Sequence, residues 1–354
     1  MRSWKFWLGV LVSAFFVFWT ARGLEWSSFF LALRHANYWW LLPGIAIYFG
    51  AVWARTWRWH YMLRHLKPVS LRRLFPVVVI GYMGNNVYPL RAGEVIRSYV
   101  LRRNEGINIS ASLATVALER LFDGLVMTVF VFATLPFLPL PPQYRSLVFL
   151  CSGLFGMALL VFLGLAAWPE HANALIFRFV SSFVPLRFRT QITDVASRFL
   201  EGLHSLRSPR EVLMIVVTSV AIWLTETTKY WVVTHAFAGL HVPFTVLMLM
   251  TAVVNLATMI PSAPGYVGTF DKPGIQVLVS VGKVRANIAA AYTLVLHVAL
   301  WLPITLLGLF YMSRQSLHWH DIDVAVEAQR QQAEPEVQLG VPPTVNTSNL
   351  HGHG

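Results

Sequence analysis

The sequence predicts an all-α polytopic membrane protein, with about six to eight transmembrane helices and two broken, re-entrant hairpins. Three observations predict it. Charged residues make up 12% of the 354 residues, against roughly 25% in a soluble domain. Hydrophobic residues make up 56%, gathered into long apolar stretches separated by basic connections. Two of those stretches are interrupted by Asn, Pro and Gly and then resume.

Spans of about 20 apolar residues, enough to cross a bilayer, are expected at 4–22, 38–57, 110–136, 146–168, 211–237 and 286–312. The first follows Arg2 and Lys5 and resembles a signal peptide. It ends in Thr20-Ala21-Arg22 without a small-x-small cleavage site, so a retained helix is expected. Trp4, Trp7, Trp39, Trp40, Trp57 and Trp59 stand near segment ends, as an interfacial aromatic belt would place them.

The interrupted segments are 74–103 and 244–284. The first contains Val87-Tyr88-Pro89-Leu90-Arg91-Ala92-Gly93-Glu94, and the second contains Ile260-Pro261-Ser262-Ala263-Pro264-Gly265-Tyr266-Val267-Gly268-Thr269. Proline removes a backbone donor, and broken backbone at membrane depth needs protein or water to satisfy it. Both segments are therefore expected to dip in and turn back. Pro89 to Gly93 and Pro261 to Gly265 share one spacing, and Asn85, Asn86 and Asn255 precede the breaks. Two spans, a broken hairpin and a span are followed by the same again, which is the pattern of an inverted repeat in a transporter.

The net charge of +12 lies beside apolar spans, so lipid headgroups explain it better than nucleic acid. Arg55, Arg58, Arg64, Lys67, Arg72 and Arg73 follow the second span, and 169–210 carries Arg178, Arg187, Arg189, Arg198, Arg207 and Arg210. The connections 137–145 and 238–243 hold only Arg145. The positive-inside rule puts the basic loops and the N-terminus in the cytoplasm of a bacterial inner membrane. Lys272, Lys283 and Arg285 face outward or inward according to whether 244–262 is re-entrant or spans. Residues 169–210, with Leu175, Phe177, Phe179, Phe183 and Phe188, read as an amphipathic surface helix. The chain divides into 1–312, the membrane domain, and 313–354, a polar disordered tail.

Ionisable groups inside apolar segments carry an insertion cost of about 2.5–3.5 kcal/mol each and need a reason. Arg91, Glu94 and Arg97 are spaced three apart, so Glu94 can pair with either guanidinium. A helix starting near Gly93 would aim free N–H groups at the break, a site suited to phosphate. The alternative is two arginines reaching for headgroups, with Glu94 neutralising one. Glu119, Arg120 and Asp123 form a second cluster. The two carboxylates share a helix face and need a cation between them, or one proton; the alternative is an ion-pair network holding the hairpin. Glu226 and Lys229 form a third, read as an internal salt bridge, and His297 is read as a packing residue. Cys151 is the single cysteine, so no intramolecular disulfide is expected. There is no P-loop, dinucleotide motif, metalloprotease motif or cysteine pair, so neither cofactor nor metal is expected, and the driving force is an ion or lipid gradient, or there is none.

Asn85-Asn86-Val87-Tyr88-Pro89-Leu90-Arg91-Ala92-Gly93-Glu94-Val95-Ile96-Arg97, followed by Glu119-Arg120-Leu121-Phe122-Asp123, resembles the signature of the lysylphosphatidylglycerol synthase transmembrane-region family. Pro264-Gly265-Tyr266-Val267-Gly268-Thr269 is similar to that family's second glycine-rich motif. The resemblance covers about residues 4–312. In the namesake proteins this region moves an aminoacylated phospholipid between leaflets and a soluble synthase domain follows. Here no synthase domain is expected, and aminoacyl transfer is not carried over. Phe270-Asp271 departs from the pattern, which favours an acidic residue nearer the threonine, so no role is carried over to Asp271. Some stand-alone members are associated with hopanoid, glycolipid or polyprenyl-linked pathways, and no one substrate transfers.

The function expected is therefore that of a flippase, not an enzyme, for a phosphate-containing lipid: a phospholipid, aminoacyl-phospholipid, glycolipid or polyprenyl-linked lipid. Its partners would be lipids with anionic or zwitterionic headgroups and a lipid-synthesis enzyme, not nucleic acid. The expected substrate site comprises Asn85, Asn86, Pro89, Arg91, Gly93, Glu94, Arg97, Glu119, Arg120, Asp123, Pro264, Gly265, Gly268 and Thr269. Two rivals remain: a membrane-embedded lipid transferase using Glu94 or Asp123 as base, and a non-catalytic subunit of a lipid-synthesis complex.

Overall fold

The computed structural model describes residues 25–88, 91–138, 142–183, 185–259 and 264–317. The expected first span at 4–22 and the tail from 318 onward lie outside the described residues. Among the described residues the chain is all-helical, with twelve α-helices and three short 3-10 turns.

A short helix, α1 (Trp26–Arg34), packs against the last helix of the chain. The 3-10 turn Tyr38–Trp40 then leads into α2 (Leu41–Leu63), with the Asn37 side chain accepting the Trp39 N–H at 3.2 Å. The span expected at 38–57 thus continues to Leu63 as one helix. This corrects the reading of Arg55 and Arg58 as residues of a basic cytoplasmic connection. Both are buried inside the helical core, Arg58 at 1% exposure, because their carboxylate partners come from distant helices. Trp59, placed in an interfacial belt by its position, is also fully buried and donates its indole N–H to the Thr115 hydroxyl at 2.9 Å.

The first interrupted segment folds as α3 (Leu71–Val87) and α4 (Gly93–Glu105), laid back along one another. Small residues allow the close approach. A Cβ on Gly84 would stand 2.9 Å from the Gly93 Cα, and one on Gly81 would stand 2.9 Å from the Arg97 Cβ. Asn108 then caps α5 (Ile109–Thr134) by accepting the Ser110 N–H at 2.9 Å. Next come α6 (Pro142–Ala167), α7 (Pro169–Phe183) and α8 (Leu186–Gly202). The single amphipathic helix expected over 169–210 is therefore two helices and a 3-10 turn at His204–Arg207. The axis bends by 105° between 152–167 and 170–182. Leu175, Phe177 and Phe179 remain exposed on α7, while α8 packs against α5.

Pro209 opens α9 (Pro209–Thr234), where its missing N–H would have had no helical partner. The second interrupted segment folds as α10 (Phe244–Thr258), the 3-10 turn Pro264–Tyr266 and α11 (Asp271–Ser280), with Gly274 set against Met250 and Val254. The chain closes with α12 (Ala286–Arg314). By length and composition, α9 and α12 are each long and apolar enough to cross a membrane, and the bent pair α6–α7 would make a third if read as one span. α2 and α5 have comparable lengths, 23 and 26 residues, but carry charged side chains at mid-helix.

The order α2–α3–α4–α5 recurs as α9–α10–α11–α12, and the packing map is unchanged when the two sets are exchanged. α2 lies along α9, α3 along α12 and α10 along α5, and each hairpin packs within itself and against the helix that follows. The halves are interleaved rather than juxtaposed. Two apolar cores result, one around Trp59, Ile80, Met83 and Ile96, the other around Met250, Leu278, Tyr292 and Leu296. α5 feeds both, with Leu118 and Phe122 in the first and Met127 and Val131 in the second.

Two tests follow from the packing. A Cβ on Gly93 would overlap the Gly81 carbonyl oxygen and crowd Asn85, so Gly93→Ala lowers stability by about 1–3 kcal/mol in thermal unfolding of the solubilised protein. Gly153→Ala, with open space at its Cβ, leaves it unchanged or raised. At the end of α2, the His65 ring stacks on His204 at 5.3 Å, its Nε2 lies 2.9 Å from the Glu201 carbonyl oxygen, and burial pushes its pKa down. The folded state thus prefers the neutral ring. Its contribution is present above about pH 6.5, the ordinary imidazole value, and is lost as pH falls below it. Thermal midpoints measured from about pH 8 to pH 5 should fall less in His65→Gln than in the parent.

Candidate functional site

The two breaks meet at the centre of the helical assembly. At the end of α3, the Asn85 side chain accepts the Gly93 N–H at 2.9 Å, capping α4 from the opposite arm of its own hairpin. The next three N–H groups bond to the carbonyls of Arg91 and Ala92. The expectation of free N–H groups aimed at the break is thereby corrected: fold-back brings Asn85 to Gly93, and the first turn is satisfied internally. Asn86 turns the other way and donates to the Trp301 carbonyl at 3.2 Å and the Thr305 hydroxyl at 2.8 Å on α12. Pro89 lies outside the described residues.

Arg91 holds a left-handed backbone conformation, φ 56°, unusual for a residue with a side chain. Its guanidinium bridges the hairpins, donating to the Glu94 carboxylate at 3.1 Å and to the Thr258 carbonyl at the end of α10 at 3.1 Å. The Tyr266 ring lies 5.7 Å from it. Glu94 is shared with Arg120 of α5, whose Nε stands 3.2 Å away. Arg97 instead pairs with Glu119 and sits over the Trp59 ring at 4.5 Å. The expected choice for Glu94 between Arg91 and Arg97 thus resolves to Arg91 and Arg120.

The cation that separates Glu119 from Asp123 is Arg58 of α2, 3.7 Å from the first and 2.7 Å from the second. Asp123 also accepts the Trp223 indole N–H at 2.9 Å and lies 3.4 Å from Arg120. The third cluster gains a member, since Glu226 holds both Lys229 and Arg55, the latter at 2.6 Å. In the second hairpin Gly265 has φ 68°, and its Cα hydrogen faces the Trp301 indole so closely that a Cβ would stand 2.9 Å from Nε1. The Gly268 N–H donates to Asp271 at 2.8 Å, and the Thr269 hydroxyl donates to the Tyr266 carbonyl at 3.1 Å. His297 is more than packing: its Nδ1 lies 2.8 Å from Asp271 and its Nε2 lies 2.7 Å from the Gly265 carbonyl oxygen.

Between these elements lies a cavity of about 160 Å³. Of the described site residues read from sequence, Asn85, Asn86, Arg91, Arg120 and Gly265 line it. Gly93, Glu94 and Arg97 border a smaller cleft that shares Asn85 and Arg120 with it. Glu119 and Asp123 stand behind as buried counter-charges, and Pro264, Gly268 and Thr269 shape the turn. The sequence reading missed Tyr48, Arg55, Tyr82 and Trp301 as lining residues. Arg55 and Arg58, three apart between Trp53, Trp57 and Trp59, were the available signal, being charges embedded in an aromatic run.

Electrostatics define what the cavity accepts. Among the described residues, Arg55, Arg91, Arg120 and Lys229 line it, against the lining carboxylate Glu226. Two ion-pair networks surround it: Arg58, Arg91, Arg97 and Arg120 face Glu94, Glu119 and Asp123, and Arg55 and Lys229 share Glu226, so cations outnumber carboxylates by one in each. Unbalanced buried positive charge is unfavourable and draws an anion. Tyr48, Tyr82 and Tyr266 add hydroxyl-bearing apolar walls. Among the described residues no group of His, Cys, Asp and Glu is arranged to hold a metal.

Over residues 6–308 the chain matches the model of the lysylphosphatidylglycerol synthase TM region, and it belongs to that family of membrane proteins. A UPF0104 membrane protein of Methanothermobacter thermautotrophicus is 24% identical over 292 residues, covering 77% of this chain and 83% of that protein. Another from the same archaeon is 25% identical over 282 residues, covering 75% and 82%. Glycosyltransferase AglD of Haloferax volcanii is 26% identical over 222 residues, 55% of this chain and 35% of AglD, so the match spans about a third of that protein. No solved structure matches the chain.

The network makes its own prediction. Arg58→Leu leaves Asp123 and Glu119 short of a buried partner and lowers stability by about 3–5 kcal/mol. Arg91→Ala lowers it by under about 1.5 kcal/mol, because Glu94 keeps Arg120. Arg58→Met combined with Asp123→Leu recovers part of the loss. Denaturant unfolding in a fixed detergent checks all three, and equal losses for Arg58→Leu and Arg91→Ala would contradict the assignment.

Proposed function

With membership of the lysylphosphatidylglycerol synthase TM region family as premise, we propose that this protein moves a lipid with an anionic, phosphate-bearing headgroup between leaflets. The cation surplus of the central cavity carries this reading. The headgroup enters between the hairpins, where Arg91, Arg120 and Arg55 meet its phosphate, while Asn85 and Asn86 offer neutral polar contacts. Glu94, Glu119 and Asp123 hold the arginines in place from behind. Both transferase base candidates are engaged by guanidinium groups, Glu94 by Arg91 and Arg120 and Asp123 by Arg58, which favours transport over group transfer.

The membrane arrangement follows from helix lengths. At 1.5 Å per residue, α3 and α4 measure roughly 26 and 20 Å, and α10 and α11 roughly 22 and 15 Å, each short of the ~30 Å hydrocarbon core. We read both hairpins as re-entrant, entering from opposite faces as an inverted repeat, with the basic connections and the N-terminus in the cytoplasm. The location we propose is a bacterial inner membrane; the relatives quoted are archaeal. The similarity to a protein named as a glycosyltransferase supports a glycolipid as a substrate class beside phospholipid; a polyprenyl-linked lipid and a lipid-synthesis enzyme as partner complete the proposal.

Reconstitution tests the reading. In liposomes bearing the purified protein, fluorescent phosphatidylglycerol should cross the bilayer faster than in protein-free liposomes. Arg91→Ala and Arg120→Gln should each slow it about tenfold or more, the scale of one lost charge-assisted contact. Equal movement of neutral diacylglycerol and phosphatidylglycerol, or unaltered rates in both variants, would count against an anion-selective site.

A further inference from the structure

The imidazole of His297 presents a proton-counting problem that stereochemistry solves. Its Nε2 lies 2.7 Å from the Gly265 carbonyl oxygen, which can only accept, so Nε2 carries a hydrogen. Its Nδ1 lies 2.8 Å from an oxygen of Asp271. An ionised carboxylate also only accepts, so a hydrogen must lie between Nδ1 and Asp271 as well. Whether it resides on the ring or on the carboxyl, the pair holds one proton more than a neutral imidazole beside a free carboxylate.

We infer that His297 and Asp271 form a proton-binding site whose occupancy clamps the break of the second hairpin onto α12. The clamp has reach. Asp271 also accepts the Gly268 N–H at 2.8 Å, so the ion pair ties the Gly268 end of the turn, as well as its Gly265 end, to α12. Phe270 stacks against the ring at 4.6 Å. The turn packs on α3, with Tyr266 beside Arg91, so its position sets one wall of the cationic cavity. When the proton leaves, two lone pairs face each other at Nε2 and Gly265 or at Nδ1 and Asp271, and the turn loosens. The charged groups sharing the cavity are Arg55 of α2, Arg91 at the first break, Arg120 of α5, and Glu226 and Lys229 of α9, with Tyr82, Tyr230 and Tyr266 among them. None of them is hydrogen-bonded to the ring, and Glu226 is held by Arg55 and Lys229, which leaves Asp271 as the counter-charge of the proton.

The pair has a counterpart in the other half. Glu94 at the start of α4 faces Arg120 of α5, just as Asp271 at the start of α11 faces His297 of α12. The first pairing uses a permanent cation and the second a titratable one. One hairpin is thus held constitutively and the other only while protonated. This deepens the transport reading by naming the proton as the coupling ion; the clamp itself does not depend on lipid movement.

The experiment uses the full chain in nanodiscs with nitrogen-15-labelled histidine, His297 being assigned among the 12 histidines by the signal lost in His297→Gln. The wild type should show both ring nitrogens protonated throughout the pH range in which the turn is protected. Amide exchange of 265–270, corrected for intrinsic rates, should accelerate about tenfold or more as pH is raised until the ring loses that proton, as local opening would produce. Asp271→Asn removes the need for the proton, because its amide can donate to Nδ1 while Nε2–H still reaches Gly265. Exchange in that variant should be independent of pH. A neutral His297 with the turn still protected, or pH-independent protection in wild type, overturns the clamp. In liposomes, an imposed pH gradient should drive fluorescent phosphatidylglycerol in wild type and not in Asp271→Asn. Movement indifferent to the gradient in wild type overturns the coupling, whereas absence of movement with an intact clamp overturns the transport reading instead.

Discussion

Arg58 is the residue on which the rest of the assembly leans. A guanidinium 1% exposed in the middle of an apolar helix is intolerable alone. It stands only because α5 brings Glu119 and Asp123 to it and α9 brings Ser219, whose hydroxyl lies 2.7 Å away. Each of those carboxylates is then committed to a second cation, Glu119 to Arg97 of α4 and Asp123 to Arg120 of its own helix. Four helices are therefore locked in rotation about their axes by the need to keep one charge satisfied. Apolar packing alone, with its tolerance of sliding, would not fix them so narrowly.

That network also explains why the cavity is cationic without being unstable. Glu119 and Asp123 sit behind the arginines, and Glu226 alone among the described carboxylates lines the cavity, so the guanidinium faces of Arg91 and Arg120 turned to it remain available. The second half repeats the arrangement in a weaker key. Its helix-start carboxylate, Asp271, meets an imidazole, and its α10 contributes Asn255 and Thr258 where α3 contributes Asn85 and Asn86. Charge is concentrated in one half, and the left-handed glycines Gly265 and Gly268 shape the break in the other.

The fold class was legible because composition and apolar run length are local properties, and the breaks at Pro89–Gly93 and Pro261–Gly265 announced themselves through residues that cannot continue a helix. What sequence hid was pairing at a distance. Glu94 sees Arg91 and Arg97 along the chain, but its actual second partner, Arg120, arrives from the next helix. Arg55 and Arg58 looked like the start of a basic loop because the carboxylates that internalise them lie 171 and 65 residues away. The cap on Gly93 was invisible for the same reason, since Asn85 reaches it only after fold-back. His297 looked inert because nothing within a helical turn of it titrates. The polar run 169–210 was misjudged for a different cause: its amphipathic signal continues across the break between α7 and α8, so periodicity alone sees one helix.

The interleaving of the halves bears on how the protein is made. The first hairpin leaves the ribosome with Asn85, Asn86 and Arg97 in place, yet the helix that α3 lies along, α12, begins roughly 200 residues later. At ~5–20 residues per second, translation takes about 10–40 s to supply it. Throughout that interval Asn86 waits for Trp301 and Thr305, whereas Asn85 and Arg97 already have Gly93 and Glu119 within reach. Burial of the first hairpin is consequently completed only by the last helix. A ribosome that stalls before it releases a chain in which α3 lacks that cover, and such a chain is a ready target for membrane quality-control proteases.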